Sequence, residues 1–379
     1  MDQKYTVKNI ERKKDHLSIK WGDNFKSKFH FLWLRDNCPT AIHPIANMRV
    51  FNILTVSKKI FPKVFKINNK KLNIKWSENK HESEFKLKWL RDHCYTEINK
   101  IKYKSPYIFW DGNLKKKFSK IQLDHDKIIS DDKLLKKWLS LLHTYGFAIV
   151  KNSPTKKRSG FKILKRISHH RETFFGTPFE VINIAKPNNT AYTAQALRNH
   201  TDLPYFEYAP GYQFLHCLIN NATGGKSSVV DGFAVANYLR KKEKDVFKIL
   251  TTTYVKFKDT DYTQKAIRIL HSPIITLTKD NDFNDVRFSM AAMGAVDINP
   301  IQMKKFYESY QYFASLLQNN KFKIDFRLEA GDIFCFNNRR VLHGRTEFDP
   351  NSGNRHLQGY YVERDEIIAR LNYFNNIKV

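Results

Sequence analysis

The sequence contains few cysteines and no long apolar run. Its four cysteines, Cys38, Cys94, Cys217 and Cys335, lie far apart, and none belongs to a C-x-x-C pair. A chain of 379 residues does not depend on disulfide bonds to fold, so a disulfide framework is excluded and we expect a reducing compartment. No stretch approaches the roughly 18 consecutive apolar residues of a membrane-spanning helix, and the first residues lack the apolar segment of a signal peptide. We expect a cytoplasmic protein with no membrane partner.

Several catalytic motifs are also absent. The segment TGGKSS at 223–228 resembles the end of a phosphate-binding loop, but the first glycine of G-x-x-x-x-G-K-[ST] would fall on Asn220. The sequence has no G-x-S-x-G, H-E-x-x-H or G-x-G-x-x-G motif. These absences remove the sequence support for a serine hydrolase, a zinc protease and a dinucleotide-binding enzyme.

Positive charge is in large excess. Sixty-six Lys and Arg residues against 37 Asp and Glu give a formal net charge of +29. The basic residues are spread along the chain, which favours a solvated basic face, and we do not expect nucleic acid to be the main partner. With 41% hydrophobic and 14% aromatic residues, the chain has enough apolar material for one large domain or two smaller ones.

The chain divides into two predicted domains. Residues 1–110 form a small β-rich domain in this interpretation, residues 121–379 form the second, and a lysine-rich stretch around 111–120 links them. WLRDNC at 33–38 is echoed by WLRDHC at 89–94, 56 residues later. Because apolar and polar residues alternate before each copy, we interpret the echo as two similar strand ends that lead into turns.

Helix signals and strand signals alternate in the second domain. Capping and periodicity predict helices from Ser130 to Gly146, over 161–175, and from Asn299–Pro300 to about Leu317. Many short alternating runs between and after them predict strands. The fold class is therefore mainly β with flanking helices, of the sandwich or jelly-roll type.

The strongest chemical signal is His200–Thr201–Asp202. Residues i and i+2 of a strand point to one face, so this imidazole and carboxylate can converge. A metal site needs a further ligand, and His343 follows a strand-like run near the C-terminus, with Arg355 twelve residues later. Two imidazoles and one carboxylate on one face of a metal leave three positions open, as in non-haem Fe(II) oxygenases.

These residues carry a resemblance to a known family. The motifs are WLRDNC at 33–38, AYT at 191–193, HTDLPYFEYAPGYQFLHCL at 200–218, TGG and VDGF within 223–233, LHGR at 342–345 and RHLQGYY at 355–361. Together they resemble the γ-butyrobetaine and trimethyllysine dioxygenases, within the taurine-dioxygenase-like oxygenases. The resemblance implies a double-stranded β-helix (jelly-roll) catalytic domain preceded by a small β-rich N-terminal domain.

The resemblance also implies a reaction and its ligands. His200, Asp202 and His343 would bind Fe(II), Arg355 would bind the distal carboxylate of 2-oxoglutarate, and Leu215 would line the co-substrate pocket. Dioxygen and 2-oxoglutarate would be consumed, giving succinate and CO₂, while the substrate is hydroxylated. The closest functional analogy is the γ-butyrobetaine step of carnitine biosynthesis.

The implied substrate is a small quaternary ammonium compound. Positions that match the family's aromatic cage are Phe175, Phe179, Tyr192 and Tyr361, with Asn189 nearby, and aromatic rings select a trimethylammonium group by cation–π contact. Two departures leave the rest of the substrate open. Leu203 stands where butyrobetaine enzymes carry tyrosine, and residues 288–291 lack the paired asparagines associated with the butyrobetaine carboxylate. Trimethylaminoethylphosphonate and trimethyllysine are the alternatives; outside the class, the alternative is a basic nucleic-acid-binding protein.

A structural zinc ion is not expected in the N-terminal domain. The family's site uses several cysteines and a distant histidine, whereas this sequence offers at most Cys38, His43 and His81, with Thr40 in place of one cysteine. Closed structural zinc sites need four ligands. A homodimer is compatible with the resemblance, although no sequence feature identifies an interface.

Overall fold

The computed structural model describes residues 2–78, 81–96, 105–183 and 193–376. Contacts divide the chain into two compact units, Met1–Lys104 and Ser105–Val379, called here the N-terminal and C-terminal units. In the described part of the chain, no helix combines the length and apolar character needed to cross a bilayer.

The N-terminal unit consists of two copies of one motif, in which three antiparallel strands lead into a short helix. The first copy comprises β1 (Val7–Arg12), β2 (His16–Trp21), β3 (Lys26–His30) and α1 (Phe31–Asp36). The second comprises β4 (Pro62–Asn68), β5 (Lys71–Trp76), β6 (Glu82–Lys86) and α2 (Leu87–Asp92). The two copies share one buried core.

Each copy contains an equivalent internal hydrogen bond. The indole Nε1 of Trp21 donates to Ser27 Oγ at 2.7 Å, and that of Trp76 donates to Ser83 Oγ at 2.8 Å. The prediction that the two WLRD stretches end strands and lead into turns is wrong, because both lie in α1 and α2. The strands end at His30 and Lys86, and Leu34 and Leu90 are buried on the helices that follow.

The C-terminal unit contains fourteen strands and seven α-helices in the described residues. The strands are β7 (Gln122–Asp124), β8 (Phe147–Lys151), β9 (Phe179–Ile182), β10 (Leu197–His200), β11 (Tyr212–Asn220), β12 (Ser227–Asp231), β13 (Val255–Asp261), β14 (Ala266–Ser272), β15 (Ile275–Leu277), β16 (Phe283–Val286), β17 (Lys323–Phe326), β18 (Ile333–Asn337), β19 (Val341–Arg345) and β20 (Arg355–Val362). The helices are α3 (His125–Ser130), α4 (Asp132–Tyr145), α5 (Phe161–Leu164), α6 (Gly232–Lys242), α7 (Lys244–Thr252), α8 (Pro300–Gln318) and α9 (Arg364–Asn376).

Two sheets form the centre of this unit. The major sheet has the strand order β7-β8-β18-β11-β20-β9, and the minor sheet has the order β10-β19-β12-β17. Their inner faces meet in a shared aromatic and aliphatic core that includes Phe147 and Phe334 from the major sheet and Val229 and Val341 from the minor sheet. The hairpins β13–β14 and β15–β16 complete the strand set. This is the mainly β architecture with flanking helices that the sequence predicts.

Two of the three predicted helices are present almost as expected. α4 ends at Gly146, whose φ of +82° is a left-handed conformation that glycine adopts without strain. Its N-terminal cap is Asp131 rather than Ser130. α8 has the predicted Asn299 cap and a proline at its first position. The helix predicted over 161–175 is wrong, because only Phe161–Leu164 is helical.

Candidate metal centre and substrate cavity

Three predicted ligands converge at one end of the minor sheet. His200 is the last residue of β10, and it pairs directly with His343 on the neighbouring antiparallel strand β19. The two imidazole centroids are 4.4 Å apart. Asp202 Oδ1 lies 3.1 Å from His200 Nε2 and 3.8 Å from His343 Nε2. Across the described ranges, this is the one group of three metal-ligating side chains whose ligand atoms all lie within 4.8 Å.

The donor set fits a divalent metal ion. The Nδ1 of His200 donates to the Arg198 carbonyl at 2.8 Å, which leaves Nε2 directed toward Asp202 and His343. A hydrogen bond of this kind fixes the orientation of a metal-binding imidazole. Two imidazole nitrogens and one carboxylate oxygen are the ligands of a facial triad with open positions, the arrangement suited to Fe(II).

The ionisation of the three groups also suits metal binding. Burial and the adjacent His200 lower the pKa of His343 to about 3, so this imidazole is neutral. Burial alone would raise the pKa of Asp202, but His343, His200 and the Tyr361 hydroxyl hold it below its usual value. Burial also opposes charge on His200, yet contact with Asp202 raises the pKa of this imidazole. A bound cation would displace that proton, because metal ligands must be deprotonated.

Asn338 and Tyr361 hold Asp202 in place. The Asp202 amide donates to Asn338 Oδ1 at 2.7 Å, and Asn338 Nδ2 donates to the Asp202 carbonyl at 2.9 Å. The Tyr361 hydroxyl donates to Asp202 Oδ2 at 2.8 Å. Sequence reasoning missed the role of Asn338. Its position between two strands, five residues before His343, was the available signal, although an asparagine in a turn has many other roles.

Arg355 and Leu215 lie on the major sheet. Leu215 on β11 pairs with Gly359 on β20, and Arg355 begins β20. Because side chains alternate along a strand, Arg355 is directed to the same face of β20 as Gly359 and Tyr361. The guanidinium is largely enclosed, and burial lowers its pKa to about 10. Among the described residues no carboxylate forms an ion pair with Arg355, so this cation is available to an anionic ligand.

A cavity of about 380 Å³ opens beside the three ligands. Phe175, Phe179, Leu203 and Tyr361 line it, as the predicted substrate site requires. The rings of Phe179 and Tyr361 stack with centroids 5.0 Å apart, and Phe175 lies 6.2 Å from Phe179. Tyr205 also lines the cavity and was missed, since nothing in its sequence position distinguishes it from a core tyrosine.

The other predicted residues are not among the described residues of the cavity wall. Asn189 and Tyr192 fall outside the described residues. Arg355 and Leu215 are not part of its wall as described, although Leu215 packs in the same apolar cluster as Phe179 and Tyr361. Phe175 lies in an irregular segment, not on a helix, so its approach to Phe179 arises from chain folding and not from helical spacing.

Gly359 allows the stacked aromatic pair to form. A Cβ atom at this position would overlap the ring of Phe179. The ring therefore lies directly on the backbone of β20, next to Tyr361. A glycine within a central strand weakens the strand, so its presence here marks a close approach.

Two of the three residues weighed for zinc, Cys38 and His43, have other contacts. Cys38 Sγ lies 3.1 Å from Thr40 Oγ1, and His43 Nδ1 accepts from the amides of Ile45 and Ala46. Burial, followed by the charge of Arg35, lowers the pKa of His81. The absence of zinc stays a prediction.

Comparison with known proteins gives consistent matches over both units. The family model described as "Taurine catabolism dioxygenase TauD, TfdA family" matches residues 111–361, and the one described as "Gamma-butyrobetaine hydroxylase-like, N-terminal" matches residues 8–91. A gamma-butyrobetaine dioxygenase of Pseudomonas sp. (strain AK-1) is 36% identical over 361 residues, covering 94% of this chain and 92% of the relative. A trimethyllysine dioxygenase of Meyerozyma guilliermondii is 27% identical over 380 residues, covering 95% and 94%.

A solved structure shares the fold. An asparagine oxygenase in complex with Fe(II), 2S,3S-3-hydroxyasparagine and succinate has a TM-score of 0.51 at 15% identity, covering 64% of this chain and 94% of that chain. At this identity the likeness concerns the fold alone. It agrees with the jelly-roll prediction for the C-terminal unit.

Proposed function

Because the chain belongs to the taurine catabolism dioxygenase TauD, TfdA family, we propose that this 2-oxoglutarate-dependent dioxygenase hydroxylates a C–H bond of γ-butyrobetaine. Family membership confirms the resemblance stated from the sequence motifs, and with it the enzyme class. The two units match two family models separately. This supports a division into two domains, which we propose as 1–110 and 121–379, with the catalytic site in the second.

The observation that carries the substrate proposal is the aromatic wall beside the metal ligands. Phe175, Phe179, Tyr205 and Tyr361 place four rings on one cavity. A trimethylammonium group has no hydrogen-bond donor, and several aromatic faces bind it through cation–π attraction. The 36% identical relative named gamma-butyrobetaine dioxygenase further supports this substrate over others with the same head group.

His200, Asp202 and His343 would hold Fe(II), and Arg355 would hold the distal carboxylate of 2-oxoglutarate. Arg is suited to this contact because its planar guanidinium can bond both oxygens of a carboxylate. When bound, the iron and 2-oxoglutarate supply the oxidation, in which dioxygen gives one atom to succinate and one to the hydroxylated substrate, with release of CO₂.

The remaining residues position groups and exclude water. Asn338 fixes the backbone of Asp202, and the Tyr361 hydroxyl fixes its second carboxylate oxygen. Tyr361 thereby links the aromatic wall to the metal carboxylate. The apolar cluster of Phe179, Leu203, Tyr361 and their neighbours shields the reacting carbon from solvent.

Trimethylaminoethylphosphonate and trimethyllysine are the alternative substrates with the same head group. The four cysteines are free, which fits the proposed cytoplasmic location. The alternative of a basic nucleic-acid-binding protein is disfavoured by the complete ligand triad and by family membership. A homodimer stays a prediction.

The test is succinate formation from 2-oxoglutarate with Fe(II) and ascorbate. Each trimethylammonium compound is supplied separately and compared with a control lacking substrate. We expect γ-butyrobetaine to give the strongest stimulation, together with a hydroxylated product detectable by mass spectrometry. Stimulation by none of the compounds, with slow background turnover of 2-oxoglutarate, would contradict the proposed substrate class. A lack of stimulation by added DNA or RNA would further disfavour a macromolecular substrate.

A further inference from the structure

The cavity beside the metal ligands carries charges that its aromatic wall does not explain. Its described wall includes two carboxylates, Asp202 and Asp259, and two cations outside the metal-ligand set, Arg198 and Lys258. Asp202 forms hydrogen bonds with His200 and Tyr361. Asp259 accepts from Arg268 Nη1 at 2.9 Å. Both carboxylates are therefore neutralised by neighbours.

The two cations are not neutralised in the same way. Neither Arg198 nor Lys258 forms an ion pair with any carboxylate of the described residues, and both side chains are exposed at the cavity. The cavity thus has an excess of positive charge at its mouth. The aromatic rings attract a cation, so the two kinds of wall favour opposite charges.

The backbones of both cations are fixed. Arg198 lies on β10 two residues before His200, and its carbonyl accepts a hydrogen bond from His200 Nδ1 at 2.8 Å. Lys258 lies on β13, and its amide donates to the carbonyl of Ala292 at 2.7 Å. Ala292 belongs to the segment 289–292, which also lines the cavity. The rings come from the major sheet and from irregular segments, whereas the two cations come from β10 and β13.

We propose that Lys258 and Arg198 bind the anionic end of the substrate and select trimethylammonium compounds whose tail carries net negative charge. This inference rests on the proposed function and specifies its substrate class. A carboxylate or a phosphonate satisfies both cations. The tail of trimethyllysine is an α-amino acid with an ammonium as well as a carboxylate, so its net charge is zero and its ammonium is repelled. Charge selection replaces the paired asparagines that residues 288–291 lack.

The experiment compares Michaelis constants for matched tails. The compounds are γ-butyrobetaine, its uncharged amide, trimethylaminoethylphosphonate and trimethyllysine, and the readout is substrate-stimulated succinate formation. In the unmodified enzyme we expect lower KM values for the carboxylate and phosphonate than for the amide and trimethyllysine. Lys258→Ala and Arg198→Ala should each raise the KM for the two anionic tails ~5-fold, the upper range for exposed charge pairs, and the KM for the amide less than ~2-fold. Added salt should reduce the difference.

Control variants separate charge from other effects. Lys256 lies on the same strand as Lys258, forms an ion pair with Asp297 at 2.8 Å and does not line the cavity. Lys256→Ala should therefore leave all four KM values unchanged. Lys258→Arg should preserve the preference for anionic tails. Lys258→Glu should lower the KM for trimethyllysine relative to γ-butyrobetaine, a gain that misfolding cannot produce.

The outcomes distinguish this inference from the proposed function. Turnover of γ-butyrobetaine and its amide with equal KM values, or equal effects of Lys258→Ala on both, would overturn the charge selection and leave the trimethylammonium substrate class intact. A lower KM for trimethyllysine than for γ-butyrobetaine would also overturn it. Failure of all four compounds to stimulate succinate formation would overturn both proposals.

Discussion

The two sheets of the C-terminal unit contribute to the site in different ways. The minor sheet supplies His200 and His343 from paired strands, and polar contacts to Asn338 hold the neighbouring Asp202. The major sheet supplies Phe179 and Tyr361 and, at the start of β20, Arg355. The minor sheet therefore carries the two proposed metal-binding histidines, and the major sheet carries part of the aromatic wall and the proposed 2-oxoglutarate anchor.

This division has a physical basis. Metal ligation depends on atom positions to within tenths of an ångström, so it requires hydrogen-bonded backbone and paired strands. Aromatic recognition depends on surface and proximity, so it tolerates small shifts of position at a moderate loss of affinity. Changes to the proposed metal ligands, or to the groups that hold Asp202, should accordingly abolish or lower turnover, whereas changes in the major sheet should alter Michaelis constants or stability. Five predictions test this contrast.

The largest effect is expected for Asp202→Ala. Loss of the carboxylate removes one of three ligands, so we expect iron-dependent succinate formation to fall by at least ~100-fold. The melting temperature of the metal-free protein measures whether the fold persists. Activity retained by this variant would mean that the metal centre lies elsewhere.

Arg355→Ala should act on 2-oxoglutarate alone. A charge-assisted hydrogen bond contributes roughly 1.5–3 kcal/mol, so the KM for 2-oxoglutarate should rise ~10- to 100-fold with little change in the KM for γ-butyrobetaine. Arg355→Lys keeps the charge but cannot form the planar double contact. Its KM for 2-oxoglutarate should lie between those of Arg355→Ala and the unmodified enzyme. An unchanged KM for 2-oxoglutarate in the alanine variant is incompatible with the proposed role.

Asn338→Ala should lower turnover without removing any ligand. Partners that orient metal ligands typically contribute 10- to 100-fold to metal affinity or activity, so we expect a loss of ~10-fold or more in kcat and weaker retention of iron. Asn338→Asp keeps the acceptor for the Asp202 amide but places a second acceptor against the Asp202 carbonyl, so it should not restore the kcat of the unmodified enzyme. Equal kcat in Asn338→Ala and the unmodified enzyme would show that the backbone of Asp202 is held by other contacts.

Gly359→Ala should displace the ring of Phe179. The added methyl group occupies the space where that ring lies on β20, so the stacked pair with Tyr361 is lost and the KM for the trimethylammonium substrate should rise ~3- to 30-fold. The double variant Gly359→Ala with Phe179→Leu removes the clash and tests its cause. If the double variant is as unstable to heat as the single variant, the ring clash does not explain the defect.

The smallest effect on turnover is expected at His216, on the major sheet, where the predicted effect concerns stability. Burial, followed by the charge of His125, lowers the pKa of His216 from 6.5 to about 4. The folded form therefore keeps this imidazole neutral, while the unfolded chain takes up a proton below its ordinary pKa. The free energy of unfolding is therefore highest above pH 6.5. It falls by up to about 3 kcal/mol as the pH decreases toward 4.

Denaturant unfolding between pH 7 and 4.5 measures this effect. His216→Leu should reduce the fall in unfolding free energy over this range, whereas His169→Leu, at an exposed position, should leave it unchanged. Parallel pH profiles for His216→Leu and the unmodified protein would assign the acid sensitivity to other groups.

Local signals predicted much of the fold. The apolar stripe and Gly146 predicted α4, and Asn299–Pro300 predicted the start of α8, because caps and helical periodicity act within a few residues. The helix predicted over 161–175 was wrong because contacts distant in sequence outweighed the local pattern. Its apolar residues have helical spacing, but after Leu164 tertiary contacts direct them elsewhere, including Phe175 to the cavity.

The sequence predicted which residues would bind the metal ion, but it predicted only some of the residues around them. His200, Asp202 and His343 could be chosen from residue type, strand alternation and family motifs. Asn338, Tyr205 and Lys258 could not, because each is common in its local context and acquires a role only through residues distant in sequence. Asn338, for example, reaches Asp202 across 136 positions.

The sequence alone thus indicated the enzyme class through its resemblance to a known family, and through the same motifs it predicted the metal ligands and an aromatic substrate site. The tertiary structure decided how those groups are held and charged. It placed Asn338 against both backbone groups of Asp202, fitted the Phe179 ring against Gly359, and left Lys258 and Arg198 at the cavity mouth without carboxylate partners in the described part of the chain. Such relations arise from the packing of distant strands, which no local pattern encodes.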